Sequence, residues 1–139
     1  MEFSLDNQTS FEVDLELLED IALSISSKNI ELVICYNDYI KEINQEFRAK
    51  DTPTDVLSFP YEDMPFMPLG SIVISVDFVK EKAKQYSHKE YEEFILLFIH
   101  GLLHLVGYDH EIDNGEHRKK EEELINQFNL PSSLIVRNS

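Results

Sequence analysis

The chain has 139 residues, of which 42% are hydrophobic, enough for one domain with a single core and too few to divide comfortably into two. Its 12 basic and 27 acidic residues give a formal net charge of -15, which argues against a general nucleic-acid binder because phosphate neutralisation normally needs clustered Lys and Arg. Only a bound cation and a few local basic groups, forming one positive cleft on an acidic body, would outweigh this argument.

The sequence indicates a soluble, cytoplasmic protein with no membrane partner. Residues 1–6 lack the basic start and apolar run of a secretion signal, and the longest apolar run, Phe94 to Ile99, is too short to span a bilayer. Cys35 is the only cysteine, so an internal disulfide is excluded. Its position in an apolar stretch predicts a buried side chain.

The first half of the chain alternates predicted strands and helices. We predict a strand over 2–6, an amphipathic helix over 14–26, a strand over 31–36 and a second helix that is capped by Asn37 and ends near 52–54. Two further strands, 56–59 and 72–75, flank a connection whose three prolines indicate a surface loop or flap.

Three helices are predicted to complete the chain. A helix over 77–86 is followed by Ser87 to Glu90, which have the form of a capping box and predict a new helix from His88. Residues 94–106 are apolar on nearly every face, so this helix should run through the centre of the domain until Gly107 ends it. With a charged final helix over 115–128, the order predicts one α+β domain, 1–139, with a mixed sheet of about four strands and about five helices.

Three histidines at the end of the central helix predict a metal site. His100 and His104 are one turn apart on the same helical face, and Gly107 lets the chain turn back so that His110 can reach the same point. Three neutral nitrogen ligands suit zinc and leave a fourth position for water, as in catalytic sites. We therefore expect one zinc ion per chain.

The alternative is a buried helix with two hydrogen-bonded histidines and no metal. The third histidine and the glycine at the bend favour the metal, because each buried imidazole would be costly without a partner. His88 and His117 lie at helix starts or on charged surface, and we interpret both as solvated.

The histidine spacing is that of the H-E-x-x-H-x-x-G-x-x-H metalloproteases, but the catalytic Glu is missing. Gly101 occupies its position and cannot accept a proton. This glycine leaves space above the metal for a bulky substrate, or it allows close helix packing. Both interpretations remain open from the sequence.

Residues 100–110, HGLLHLVGYDH, resemble the signature of the bacterial endoribonuclease and rRNA maturation factor family. Residues 43–60 and 69–75 resemble two further marked stretches of that family, whereas the first 30 residues carry no recognisable family motif. The resemblance implies a zincin-like α+β fold and a single-strand-specific, metal-dependent endoribonuclease. It also implies a role in maturation of the 16S rRNA 3′ end and in ribosome quality control.

The resemblance also implies roles for single residues. His100, His104 and His110 would bind the metal, and Arg48 would be needed for activity, since a planar guanidinium can bind two phosphate oxygens at once. Lys50 and Ser58 are candidates for substrate contact, and Asp109 for support of the ligands. The residues alone instead favour an Arg48 that is solvated or paired with an acid such as Asp51 or Asp55.

One departure from the family pattern is Ser71, which stands where the family usually has an acidic residue. The partners implied are single-stranded RNA or rRNA, ribosomal proteins or a ribosome-associated GTPase, and no DNA. Two other functions remain open: a metalloprotease or amidase, and a non-catalytic ribosome assembly factor whose metal only stabilises the fold.

Overall fold

The computed structural model describes residues 2–62, 64–108 and 113–131. The strands are β1 (Phe3–Asn7), β2 (Ile30–Cys35), β3 (Val56–Pro60) and β4 (Gly70–Ser75). The helices are α1 (Leu15–Leu23), α2 (Asn37–Arg48), α3 (Val76–Tyr86), α4 (Glu90–Leu105) and α5 (Glu116–Gln127). The predicted order of elements is confirmed.

The four strands form one mixed sheet in the order β1-β2-β4-β3. β1, β2 and β4 are parallel, and β3 pairs antiparallel with β4 at one edge. The sheet and its five helices confirm the predicted α+β class.

Both faces of the sheet are covered, as the nearly continuous burial of consecutive residues along β4 requires. Ile72 and Ile74 belong to the main core, which also contains the apolar side chains of α4, whereas Val73 packs with Ile40 of α2 on the opposite face. Cys35 joins this second cluster and is fully buried, which confirms the sequence prediction.

Helix α4 is buried on almost every side, as its continuous apolar sequence predicts. It packs against β3 and β4 and against helices α1, α3 and α5. In the described part of the chain, no helix combines the length and the apolar character needed to cross a membrane. The apolar character of α4 therefore reflects its central position in the domain.

Two predicted helix caps are wrong. Ser87 adopts a left-handed conformation with φ of 57° and ends α3, while α4 begins three residues later at Glu90, and Glu92 reaches back to the backbone N–H of Lys89. Asn37 is the first residue of α2, and its side-chain oxygen accepts a hydrogen bond from the Ser75 hydroxyl instead of capping the helix. The start of α4 is thus fixed by a local capping contact two residues beyond the predicted one, whereas Asn37 is engaged by a residue 38 positions away.

Candidate metal centre

Two imidazoles on α4 have the geometry of a chelating pair. His100 and His104 are one helical turn apart, their Nε2 atoms lie 3.2 Å from each other, and their rings meet at 76°. Two ligands of a tetrahedral zinc ion, with bonds of about 2.0–2.1 Å, are separated by about 3.3 Å. The pair therefore fits one metal ion between its two Nε2 atoms.

A third imidazole, that of His117, joins the pair from α5. It is fully buried, and its ring stacks on His100 with centroids 4.5 Å apart. One ligand atom from each of His100, His104 and His117 lies within 4.8 Å of the others, and this group could hold a metal ion. The interpretation of His117 as solvated is wrong, because the face of α5 that carries it packs against α4.

His88 is not solvated either. Its side chain is only 8% exposed, and Nδ1 lies 2.9 Å from Oε1 of the buried Glu93. The burial follows from the junction of α3 and α4, where the backbone N–H of His88 donates to the carbonyl of Ala83. His88 thus forms a separate polar pair that is not part of the three-histidine group.

The predicted third ligand, His110, lies outside the described residues, as does Asp109. The turn that leads toward them is described: Gly107 has a φ of 102°, a left-handed conformation in which glycine is unstrained. The chain therefore bends where the sequence predicts it. Ligation by His110 stays a prediction.

Glu121 lies between two of the imidazoles and is 1% exposed. Its Oε1 is 2.6 Å from Nδ1 of His100 and 3.0 Å from Nε2 of His117. Burial alone would raise the pKa of this carboxyl, but hydrogen bonds and charge interactions with the two imidazoles outweigh it and lower the pKa to about 2. Glu121 is therefore an ionised carboxylate at neutral pH.

Sequence reasoning missed both residues that α5 contributes. The signal was present, since His117, Glu121, Leu124 and Ile125 recur at i, i+4, i+7 and i+8, which is one face of a helix. Because the residues around them are charged, the sequence indicated a solvent-exposed face instead. Nitrogen donors with a carboxylate behind them are the donor set that zinc sites use, so the residues present fit a bound zinc ion.

Gly101 packs α4 against the sheet. A Cβ atom at this position would lie 3.0 Å from Cγ2 of Ile72, 3.0 Å from Oγ of Ser58 and 3.3 Å from Cγ2 of Val56. The space beside the glycine is filled by side chains of β3 and β4. The structure thus favours close packing over free space for a substrate.

Arg48 lies at the end of α2 and contacts strand β3. Its Nη2 donates a 3.0 Å hydrogen bond to the carbonyl of Ser58, and its guanidinium lies over the ring of Phe59 at 5.5 Å. The carboxylate of Asp55 instead accepts from its neighbour's backbone N–H, and that of Asp51 lies 4.0 Å from the ammonium of Lys41. Arg48 is thus held by a backbone carbonyl and an aromatic ring, and its side chain remains exposed.

Ser58 connects Arg48 to α4, the helix that carries His100 and His104. Its hydroxyl donates to the carbonyl of Gly101, the residue after His100, over 3.1 Å. The side chain is nearly buried, so the structure gives the hydroxyl a role in joining β3 to α4. Lys50 is exposed just beyond α2. Substrate contact by Ser58 or Lys50 stays a prediction.

Several backbone groups on the outer edge of β3 are not available to a further strand. The backbone N–H of Tyr61 donates to the carbonyl of Leu69, and that of Ser75 donates to the carbonyl of Asp55. The odd-numbered residues of this segment therefore pair with β4, and the backbone N–H and C=O groups of the even-numbered residues point away from β4. Among these outward groups, the N–H of Val56 donates to the Asp55 carboxylate, and the carbonyl of Ser58 accepts from Arg48. Pro60 has no N–H to offer.

Ser71 lies in β4, in register with Glu31 on the adjacent strand β2. Glu31 accepts a 2.7 Å hydrogen bond from the hydroxyl of Tyr61. An acidic side chain is thus present beside Ser71, although it comes from the neighbouring strand.

Comparison with known proteins places these features in one family. A family model described as Endoribonuclease YbeY matches residues 4–129. The chain is 64% identical to a protein named Endoribonuclease YbeY from Aliarcobacter butzleri, over 97% of this chain and 98% of the relative. It is 57% identical to a protein of the same name from Campylobacter jejuni, over 88% of this chain and 91% of the relative.

The fold is similar to a solved structure as well. The solution structure of TM1509 from Thermotoga maritima superposes with a TM-score of 0.62 at 31% sequence identity, covering 91% of each chain. Because the family model spans most of the chain and the relatives match it nearly end to end, this chain belongs to the Endoribonuclease YbeY family.

Proposed function

We propose that this chain is a zinc-dependent endoribonuclease that cuts single-stranded RNA, with 16S rRNA near its 3′ end as the substrate in the cell. Family membership supports the endoribonuclease activity, and the printed names of the relatives state it for those proteins. The observation that carries the proposal for this chain is the pair of Nε2 atoms, 3.2 Å apart, that His100 and His104 direct to one point.

The proposed metal ligands are His100, His104 and His110. When bound, zinc supplies a Lewis acid that polarises a phosphoryl oxygen and lowers the pKa of a coordinated water. The protein contributes the positions of the imidazoles on a helix that is buried on nearly all sides, which keeps them rigid. Ribosomal proteins or a ribosome-associated GTPase are the proposed protein partners.

Arg48 is the proposed catalytic residue, since its guanidinium would stabilise the charge that develops on the phosphorane. One of its N–H groups binds the Ser58 carbonyl, and an arginine has further donors that can bind phosphate oxygens. The hydrogen bond from Ser58 to Gly101 ties this strand to the helix that carries His100 and His104. The network supports a fixed distance between Arg48 and the proposed metal.

The net charge of -15 is compatible with an RNA substrate if the positive field is local. Arg48 and Lys50, two residues apart, extend the field of a divalent cation along a phosphate backbone. Few phosphates are neutralised in this way. We therefore expect weak binding whose dependence on salt concentration is shallow, with most of the discrimination between substrates made during cleavage.

The outward edge of β3 argues against a peptide substrate. Enzymes and binding domains that add an extended peptide to a sheet need free backbone donors and acceptors on an edge strand. In the described residues, the outward carbonyl of Ser58 is taken by Arg48, and Pro60 lacks an N–H. Gly101 also supplies no carboxylate to move a proton.

The decisive experiment combines metal analysis with cleavage of a defined RNA. Purified protein should contain about one zinc per chain, the stoichiometry of three ligands and one open position. It should cut a single-stranded RNA and leave the same sequence intact in a duplex, and a chelator should abolish cutting until zinc is restored. Protein that holds zinc, folds normally and cuts no RNA would instead be an assembly factor, while cleavage of casein would identify a protease.

A further inference from the structure

The buried carboxylate of Glu121 determines which nitrogen of His100 carries a proton. Its Oε1 lies 2.6 Å from Nδ1 of His100, a distance typical of a charge-assisted hydrogen bond. A carboxylate can only accept there, so the proton is on Nδ1 and the lone pair is on Nε2. Nε2 is the atom that lies 3.2 Å from Nε2 of His104.

His117 approaches the same carboxylate from the other side. Its Nε2 lies 3.0 Å from Oε1 of Glu121, one turn away on α5. The ring of His117 is stacked on that of His100, with an angle of 23° between the planes. A metal ion binds in the plane of its imidazole ligand, so an ion held by Nε2 of His100 would lie outside the plane of the stacked His117 ring. The stacking therefore suits His117 to contact the carboxylate rather than the metal.

We propose that Glu121 is a positioning residue for the metal centre: its carboxylate holds His100 in the tautomer that directs Nε2 to the metal. His117 in turn holds Glu121 in place. The proposal rests on the proposed metal site and adds a support that comes entirely from α5. It makes the docking of α5 on α4 part of metal binding, because both residues lie on the buried face of that helix.

The energetics favour such a role over a merely structural one. A carboxylate that is 1% exposed costs free energy unless donors surround it, and two imidazoles face this one. Buried ionic groups are often no more stabilising than apolar side chains of similar volume, so the packing of α5 on α4 does not by itself call for a carboxylate here. A carboxylate behind a ligating histidine raises the basicity of that ligand and fixes its ring, and losing it typically weakens metal binding about 10–100-fold.

The first test uses the wild-type protein loaded with zinc. Long-range ¹H–¹⁵N correlation spectra of the histidine rings distinguish an imidazole protonated at Nδ1 from one protonated at Nε2. We expect His100 to bind zinc through Nε2 and to show a slowly exchanging Nδ1 proton. Binding of His100 through Nδ1, with its proton on Nε2, would overturn the proposal without any substitution.

The second test measures zinc affinity by competition with a chromophoric chelator. Glu121→Gln, which keeps the shape but removes the charge, should weaken zinc binding about 10-fold or more and shift the Nδ1 proton signal of His100. His117→Phe, which keeps a ring of similar shape in the stack, should weaken zinc binding by a smaller factor. Glu123→Gln, on the exposed side of α5, is the matched control and should bind zinc like the wild type.

Zinc affinity within twofold of the wild type in folded Glu121→Gln would contradict the positioning role. If this variant does not fold, the wild-type spectrum and the His117→Phe affinity still decide the question. Both readouts are independent of RNA. A protein that cuts no RNA but loses zinc affinity on Glu121→Gln would leave this inference intact while refuting the proposed function.

Discussion

The hydroxyl of Ser58 donates a 3.1 Å hydrogen bond to the carbonyl of Gly101 and so joins the edge strand β3 to the helix that carries His100 and His104. Arg48 binds the carbonyl of the same serine. One residue thus connects the proposed phosphate-binding arginine with the proposed metal ligands.

Ser58→Ala should therefore destabilise the fold by about 1 kcal/mol, the usual net value of one hydrogen bond. Chemical denaturation of the variant and the wild type measures the difference. The Arg48 contact uses the backbone carbonyl, so we expect the KM for RNA to change little. A large rise in KM with unchanged stability would show that Ser58 contacts the substrate directly, the role for which the sequence made it a candidate.

Arg48→Ala should keep its fold and its zinc but cleave RNA about 100-fold more slowly, the order expected for losing one transition-state donor. Arg48→Lys should recover only part of the rate, because a point charge cannot bind two oxygens in one plane. Single-turnover rates at fixed salt provide the measurement. Arg118→Ala is the matched control, since Arg118 is exposed on α5 and pairs with Glu122. If Arg48→Ala cleaves RNA at the wild-type rate, the proposed role of Arg48 in binding phosphate is refuted.

His104→Ala should abolish stoichiometric zinc binding, because it removes one of the two nitrogens that converge on the proposed metal position. His88→Gln is the appropriate control, since His88 pairs with Glu93 away from the three-histidine group. Elemental analysis of both purified variants decides the outcome. Full zinc content in His104→Ala would show that the site has been assigned to the wrong residues.

Gly101→Ala should destabilise the protein despite the better helix propensity of alanine. Propensity would favour alanine by about 1 kcal/mol, but overpacking a core typically costs about 1–3 kcal/mol. The added methyl group would lie 3.0 Å from Cγ2 of the fully buried Ile72, so this side chain would have to shift within a packed core. Urea denaturation measures the net effect, with Glu90→Ala at the start of α4 as the control. A gain in stability would show that α4 can move away from the sheet at little cost.

Cys35 should be inert in the native protein, because burial raises the pKa of its thiol to about 12. A folded-state pKa above the ordinary value of 9.0 means that this thiol favours the folded state below pH 9 and that the contribution is lost as pH rises from 9 to 12. Ellman's reagent at pH 8 should react only after denaturant is added. Rapid stoichiometric reaction with the native protein would contradict the burial.

The class of the fold and the histidine pair on α4 could be predicted because both depend on short-range patterns. Residues 94–106 are apolar on nearly every face over more than the length of a typical strand, which indicates a buried helix. Two histidines four residues apart on that helix share a face whatever the rest of the chain does. The left-handed Gly107 was predictable for the same reason, since few other residues adopt that conformation without strain.

The errors concern residues whose environment is created by another element. His117 and Glu121 stand in a charged sequence, and only the docking of α5 on α4 makes them a buried pair. The sequence around Ser87 has the form of a helix N-cap, but Ser87 instead forms the C-terminal cap of α3. The partner of Arg48 is a carbonyl ten residues away on a strand, and sequence spacing favoured a nearby carboxylate instead.

The closed outer side of β3 also affects how copies of the chain meet each other. An edge strand with free backbone groups is a template on which a second molecule can add its own strand, the first step of aggregation. Here Arg48 binds the carbonyl of Ser58, and the carboxylate of Asp55 binds the N–H of Val56. Pro60 has no N–H, so several of the groups that such pairing needs are occupied or missing. The contact that holds Arg48, the proposed phosphate-binding residue, therefore also helps to prevent strand pairing between molecules.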